Sequence, residues 1–123
     1  MAFKCKGDWD SWTDVTFPPE DPPNDGLIVV GKEAPNGKFK GKHKKTKKKK
    51  DGKPEEVEHE LSGTCKKSPD KIEFKTNEGF TYRGEITEKE FKKVKKPVIE
   101  GTRSDPRNRV KAEEEWVAVK VGV

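Results

Sequence analysis

The chain has 123 residues, of which 28 are Lys or Arg and 23 are Asp or Glu, giving a net charge of +5. Only 28% of the residues are hydrophobic, so the chain is long enough for one domain with a small core and too short for two ordinary domains. The longest aliphatic run spans residues 27–30, whereas a membrane-spanning helix needs about 20 apolar residues. The charged start does not fit a signal peptide, which predicts a soluble chain, cytoplasmic unless a leader has been removed.

Short β-strands are predicted along the whole chain, because Val and Ile together outnumber Leu by fifteen to two and β-branched side chains suit a pleated sheet. The first strand is expected within residues 3–17. The pair Asn36-Gly37 is a strong hairpin signal and joins a strand near residue 27 to one near residue 38. The chain thus begins as a series of hairpins.

A lysine-rich segment, residues 42–53, contains eight Lys and one Asp. With Lys50-Asp51-Gly52 as a three-residue hairpin loop, the lysines lie opposite the glutamates of residues 55–60, and His43 lies opposite His59. A long lysine-rich hairpin arm is therefore predicted over residues 38–64. Because basic and acidic residues are equal in number elsewhere, residues 38–60 carry the whole net charge of +5.

A second hairpin is predicted around Asn77-Glu78-Gly79, which suits a three-residue loop closed by Gly. This register places Phe74 opposite Tyr82 on one face and Glu73 opposite Arg83 on the other. Apolar pairs and charge pairs separate cleanly, as expected for a sheet with one buried face.

One short helix is expected near residues 88–95. The segment Thr87-Glu88-Lys89-Glu90 has the pattern of a capping box, Phe91 and Val94 would share one helix face, and Pro97 would end the helix. A further turn is predicted at Ser68-Pro69-Asp70, and residues 104–108 join strands near 98 and 110.

These elements add up to about eight antiparallel strands joined in chain order. Such strands must bury one face against themselves, and closure also removes exposed edges. The fold class predicted is therefore an all-β up-and-down meander that closes into a small barrel, in preference to a sandwich, as a single domain over residues 1–123.

An apolar residue stands two positions before a Gly in four predicted strands, as in Phe39-Lys40-Gly41 and Tyr82-Arg83-Gly84. Glycines at such positions permit bends and close approach of a large neighbour. Together with Gly7-Asp8-Trp9, which resembles the Gly-x-Trp opening of a first barrel strand, this pattern is similar to the calycin group, the avidin and lipocalin barrels. The resemblance implies a small ligand held in the open mouth of the barrel.

The predicted inner face carries several aromatic side chains, which serve either as core or as the lining of a ligand cavity. Arg103 falls on the same face and needs a ligand anion or a carboxylate partner, for which Glu33 and Glu114 are available. The candidate ligand-binding residues are Trp9, Phe39, His43, His59, Phe74, Tyr82 and Arg103.

Two features leave alternatives open. Cys5 and Cys65 form either one disulfide or two thiols. In the last strand, Val117, Val119 and Val121 share one face; if they point inward, Trp116 is partly exposed and available for contact with another copy of the chain.

Catalysis has little support in the sequence. His43 and His59 are the only imidazoles, and their pairing lacks the spacing of a metal site. Nucleophile and phosphate-loop motifs are missing, so we expect no enzyme activity, no cofactor and no metal. The function expected is non-enzymatic binding of a small molecule or a partner at the open end of the barrel.

The alternative is an interaction module whose lysine-rich hairpin binds an acidic protein surface or nucleic acid without sequence specificity. No aromatic or Arg side chain is interleaved with the lysines for base contacts. The residues proposed for this weak polyanion binding are Lys44, Lys45, Lys47, Lys48, Lys49 and Lys50.

Overall fold

The computed structural model describes residues 5–48, 50–66, 70–105, 107 and 113–122. Eight strands follow one another in chain order: β1 (Gly7–Thr13), β2 (Leu27–Val30), β3 (Lys38–Lys48), β4 (Pro54–Lys66), β5 (Lys71–Thr76), β6 (Thr81–Phe91), β7 (Val94–Ser104) and β8 (Glu113–Lys120). In this described part of the chain, no helix is long and apolar enough to cross a membrane.

The strands form a closed antiparallel barrel in which each strand pairs with its sequence neighbours and β8 pairs with β1. The predicted all-β up-and-down barrel is confirmed. Both hairpin registers are also confirmed, since His43 lies opposite His59 and Phe74 lies opposite Tyr82. In β5 the alternation of Lys71–Thr76 between exposed and buried residues is complete, as expected for a strand with one face in the core.

The helix predicted near residues 88–95 is wrong. Thr87 to Phe91 continue β6 and pair with the first residues of β7, with Phe91 opposite Val94. The two strands are joined by Lys92 and Lys93, whose φ angles of 52° and 66° are left-handed, as in the two-residue turns that fit the twist of a hairpin. This segment therefore forms a strand although its local sequence has a helix-capping pattern. As part of the strand, Phe91 is buried.

The barrel interior is filled by aromatic and aliphatic side chains from all eight strands. Phe74 stacks on Tyr82 with ring centroids 4.8 Å apart, and both rings lie edge-on to Trp116. Two of the inward glycines permit this packing: a Cβ at Gly63 would lie 2.5 Å from the Phe74 side chain, and one at Gly101 would lie 1.8 Å from the Arg83 carbonyl oxygen. Gly63 and Gly101 thus let neighbouring strands approach closely.

A second apolar cluster lies on the outer face of the barrel. This outer cluster comprises Trp12, Phe91, Val98, Val117 and Val119, with Val15 and Phe17 packed against it. Residues 14–25, which we call the strap, cover the outer cluster on their way from β1 to β2, and the Trp12 indole donates to the Glu20 carbonyl oxygen at 2.8 Å.

The strap explains why the expectation for Trp116 is wrong. Val117 and Val119 lie beneath the strap on the outer face and are only 2% exposed. Trp116 therefore points into the barrel, where it is 1% exposed, and it is not available for contact with another copy of the chain.

Cys5 and Cys65 form a disulfide, which resolves the alternative left by the sequence. The bond joins the segment before β1 to the last part of β4, and both cysteines are buried in the barrel core. It lies at the barrel end opposite to the β1–β2, β3–β4 and β5–β6 connections.

Candidate functional site

The candidate site lies at the barrel end that carries the β1–β2, β3–β4 and β5–β6 connections, which we call the polar end. Its centre is Asp25, the last residue of the strap, which is only 4% exposed. The backbone of β1 holds this residue in place: Asp25 N–H donates to the Ser11 carbonyl oxygen at 2.9 Å, and Ser11 N–H donates to the Gly26 carbonyl oxygen at 3.0 Å.

The Asp25 carboxylate accepts hydrogen bonds from two strands, β1 and β6, and a third strand, β8, supports one of the donors. Ser11 Oγ and Tyr82 Oη each donate to Asp25 Oδ2 at 2.8 Å, and the Trp116 indole donates to Ser11 Oγ at 2.9 Å. Burial and the nearby Asp25 charge together raise the pKa of Tyr82 well above its usual range. The Tyr82 hydroxyl therefore keeps its proton and donates a hydrogen bond to Asp25.

Two cations offset the buried charge. A terminal nitrogen of Arg103 lies 3.5 Å from Asp25 Oδ1, and Lys45 Nζ lies 4.0 Å from the same oxygen. The second terminal nitrogen of Arg103 donates to Glu114 at 2.5 Å. Of the two carboxylates proposed as partners for Arg103, the structure brings Glu114 to it, and Asp25 is a second partner that the sequence did not reveal.

His43 is fully buried in the same cluster. Its Nε2 lies 2.6 Å from the Asp25 carbonyl oxygen, and because a carbonyl only accepts, Nε2 carries the proton. Burial lowers the pKa of His43 despite the opposing effect of the Asp25 charge. In the neutral ring Nδ1 is a hydrogen-bond acceptor, and it has no partner among the described residues.

The β5–β6 turn closes the cluster on the side of β3 and β4. His59 Nδ1 lies 3.1 Å from Asn77 Oδ1, and its Nε2 lies 3.4 Å from Glu78 Oε1. Lys45 contacts the same Glu78 oxygen at 3.0 Å. Burial opposes ionisation of Glu78, but the hydrogen bond and charge of Lys45 outweigh it and lower the pKa of this carboxyl group.

Phe80 covers the polar end and is surrounded by cations. The Arg103 guanidinium lies 4.5 Å from the ring centroid, Lys45 Nζ lies 4.9 Å away and the Arg107 guanidinium 5.0 Å. Contacts of this kind contribute about 0.5–2 kcal/mol each, depending on desolvation. Phe80 thus helps to hold three cationic side chains at one rim of the barrel.

Besides His59 Nε2 and Glu78 Oε1, which lie 3.4 Å from each other, three buried polar atoms of the polar end have no hydrogen-bond partner among the described residues: His43 Nδ1, Thr76 Oγ1 and Arg103 Nε. Buried polar groups are nearly always hydrogen-bonded, and leaving one unpaired costs about 1–3 kcal/mol. The set combines an acceptor on His43, a donor on Arg103 and a hydroxyl on Thr76 that serves as either.

The structure divides the predicted ligand-binding residues into two groups. Trp9, Phe39 and Phe74 are core residues of the filled interior. The other four, His43, His59, Tyr82 and Arg103, meet at the polar end through Asp25 and Glu78.

Sequence reasoning missed Asp25, Ser11 and Glu78. Ser11 stands two positions after Trp9 and so shares its inward face, which is a signal that could have been read from strand alternation. Asp25 belongs to the strap, whose path depends on contacts with distant strands and leaves no periodic signal in the sequence.

The hairpin lysines proposed for polyanion binding fall into different environments. Lys44 Nζ lies 3.7 Å from Glu58, Lys45 belongs to the polar end, and Lys50 is exposed. Lys49 lies outside the described residues, as do the side chains of Lys47 and Lys48.

Cys5, Glu33 and Cys65 place three atoms of metal-ligating type within 4.8 Å of one another. Two of these atoms are the sulfurs of the disulfide, and metal binding requires thiolates. In the oxidised protein the two cysteines therefore do not bind a metal, and their disulfide links β4 covalently to the segment before β1.

Comparisons of the chain with protein-family models, with curated proteins and with solved structures found no match.

Proposed function

We propose that the protein is a non-enzymatic binding protein that holds a small molecule at the polar end of its barrel. The observation that supports this most directly is the set of unpartnered atoms at the polar end, His43 Nδ1, Thr76 Oγ1 and Arg103 Nε. The side chains of His43 and Arg103 both lie 3.5 Å from the buried Asp25 carboxylate. A bound molecule that satisfies them would recover the free energy that each unpaired group costs.

The chemistry of these atoms defines the class of ligand. Arg103 Nε donates, His43 Nδ1 accepts, and the Thr76 hydroxyl does either. A ligand that pairs with all three atoms carries both a donor and an acceptor, as in a hydroxy acid or a primary amide. Anionic and cationic side chains are both present around the site, so the site has no strong preference for one sign of charge.

The position of the site follows from how the barrel is filled. Phe74, Tyr82 and Trp116 occupy the interior beneath the cluster, so a ligand binds at the rim and not deep in the barrel. Lys45, Glu78 and Arg103 have side chains that are 15–19% exposed, which gives the rim contact with solvent.

The test is a thermal-unfolding screen with a panel of small hydroxy acids and amides, comparing the natural chain with Thr76→Val. This substitution removes the unpartnered hydroxyl and keeps the side-chain shape, so we expect unchanged or higher stability without ligand. A ligand of the site raises the unfolding midpoint of the natural chain and raises it less in Thr76→Val. Thr81→Val, on the outer face of β6, is the matched control and should respond like the natural chain.

Two outcomes would contradict the proposal. One is that no member of the panel stabilises the natural chain at millimolar concentration. The other is that the stabilisation is equally large in Thr76→Val, which would place the ligand elsewhere.

Binding of an acidic protein surface or nucleic acid by the hairpin arm is the second candidate function, and it has less support. Glu58 lies 3.5 Å from Lys42 and 3.7 Å from Lys44, so part of the positive charge of the arm is already paired within the hairpin.

A further inference from the structure

A groove runs along the outer face of the barrel over β3, β4 and β5. Two adjoining cavities of about 670 and 700 Å³ form it, and both are lined by Lys40 and Ser62. We call it the lysine groove. It lies mainly on the outer face of the sheet, and it meets the polar end at Thr76 and Asn77.

Strand alternation and register explain the shape of the lysine groove. Ser62 on β4 lies directly between Lys40 on β3 and Lys75 on β5. Since adjacent strands are about 4.8 Å apart, the two lysines stand roughly 10 Å from each other with a short hydroxyl side chain between them. Thr64 continues this floor of hydroxyl groups along β4.

The charge of the lysine groove is strongly one-sided. Its lining contains one acidic residue, Glu60, and the five lysines Lys32, Lys38, Lys40, Lys42 and Lys75. Lys42 lies near Glu58, but among the residues that the structure describes, the other four lysines form no ion pair. An excess of positive charge in a concave surface attracts anions.

The chemistry of the lining favours a carbohydrate polyanion over a nucleic acid. The ring of Phe39 points into the barrel, where it contacts Phe74, and the other lining residues are aliphatic or polar. The groove therefore lacks the aromatic platforms on which single-stranded nucleic acids stack. Ser62 and Thr64 instead offer hydroxyl groups to sugar hydroxyls and sulfate oxygens, and the Cys5–Cys65 disulfide is typical of proteins in oxidising surroundings such as the cell exterior.

We propose that the lysine groove binds a single chain of a linear sulfated polysaccharide. Lys40 and Lys75 contact sulfate groups on the two sides of the polymer, Lys38 and Lys32 extend the contact toward the β2–β3 connection, and Ser62 contributes a hydrogen bond from the floor. The affinity is electrostatic and falls as salt concentration rises.

The test is titration calorimetry of the full chain with a heparin-derived oligosaccharide at low ionic strength. The variant Lys40→Gln/Lys75→Gln removes one charge from each wall of the groove. Because each exposed ion pair contributes only modestly to affinity, we expect the loss of two to lower the affinity roughly tenfold. The control Lys93→Gln/Lys95→Gln has the same net charge, alters exposed lysines near the β6–β7 turn and should bind within about twofold of the natural chain.

Unfolding midpoints of both variants are measured in parallel, so that a loss of folding is not mistaken for a loss of binding. Equal losses in the two variants would show that only net charge matters and would overturn the proposal. So would undiminished binding by the groove variant. A single-stranded oligonucleotide or polyglutamate of matched charge that binds as tightly as the oligosaccharide would overturn the choice of polymer.

Discussion

At the scale of single residues, Asp25 does the most to define the polar end. It accepts hydrogen bonds from Ser11 and Tyr82 and lies near the charges of Lys45 and Arg103. Removing one partner of a buried charge leaves the other partners uncompensated, so each member of this cluster depends on the rest. The sequence predicted His43, Tyr82 and Arg103 from inward parity, but it could not place Asp25, whose position is fixed by backbone contacts of an irregular segment.

His43 makes the stability of the protein depend on pH. Burial lowers its pKa in the folded state, whereas an unfolded His takes up a proton below about pH 6.5. The unfolded state then binds more protons, so stability falls as the pH decreases. We expect the free energy of unfolding to drop by about 1 kcal/mol between pH 7.5 and 5.5.

Denaturant unfolding at several pH values checks this expectation. In His43→Gln the loss over this pH range should largely disappear, while His59→Gln, altered at the partly exposed neighbour, should retain it. If the free energy of unfolding of His43→Gln decreased with falling pH as steeply as that of the natural chain, another group would be responsible. The charges that face His43 are those of Asp25, Lys45 and Glu78.

At the scale of the elements, turn residues predicted hairpins well where the chain offers Gly or Asn. The Asn77-Glu78-Gly79 and Lys50-Asp51-Gly52 turns predicted the correct registers of β5 with β6 and of β3 with β4. The β6–β7 turn was missed because neither Lys92 nor Lys93 is a typical turn residue. Its formation depends on burying Phe91 in the outer cluster, a tertiary contact that no local pattern contains.

Lys93 is therefore a site where stability can be gained. Its φ of 66° is left-handed, a conformation that Gly adopts without the steric cost of a Cβ. We expect Lys93→Gly to be about 1 kcal/mol more stable than Lys93→Ala, as measured by urea unfolding. Both variants lose the same charge, so the comparison isolates the backbone; equal stabilities would contradict a left-handed residue at this position.

At the scale of the whole molecule, the +5 net charge is distributed differently from what the sequence suggests. In the sequence, the excess of positive charge lies in residues 38–60. In the folded chain, Lys32 and Lys75, which lie outside that segment, line the same groove as Lys38 and Lys40. Strand alternation places Lys38 and Lys40 on the same outer face of β3. The grouping across β2, β3 and β5 requires the closed barrel.

The disulfide contributes to the stability of the whole fold. It joins residues 60 positions apart, and closing a loop of this length stabilises a protein by about 4 kcal/mol in the chain-entropy description. We expect Cys5→Ala/Cys65→Ala to lower the free energy of unfolding by about 2–4 kcal/mol, measured in urea. With reductant added, the natural chain should have the same free energy of unfolding as the double variant. If the oxidised natural chain, the reduced natural chain and the double variant gave the same unfolding curve, the expectation would be contradicted.

The two apolar clusters carry separate tryptophans. Trp9 and Trp116 lie in the barrel interior, and Trp12 lies in the outer cluster beneath the strap. Indole fluorescence can therefore report on the two clusters separately. In Trp12→Phe the emission comes only from Trp9 and Trp116 in the barrel interior. The difference between the emission of the natural chain and that of the variant is the emission of Trp12, which lies beneath the strap. Because covering segments commonly open at lower free energy than a core, this difference signal would reveal loosening of the strap while the barrel is still intact.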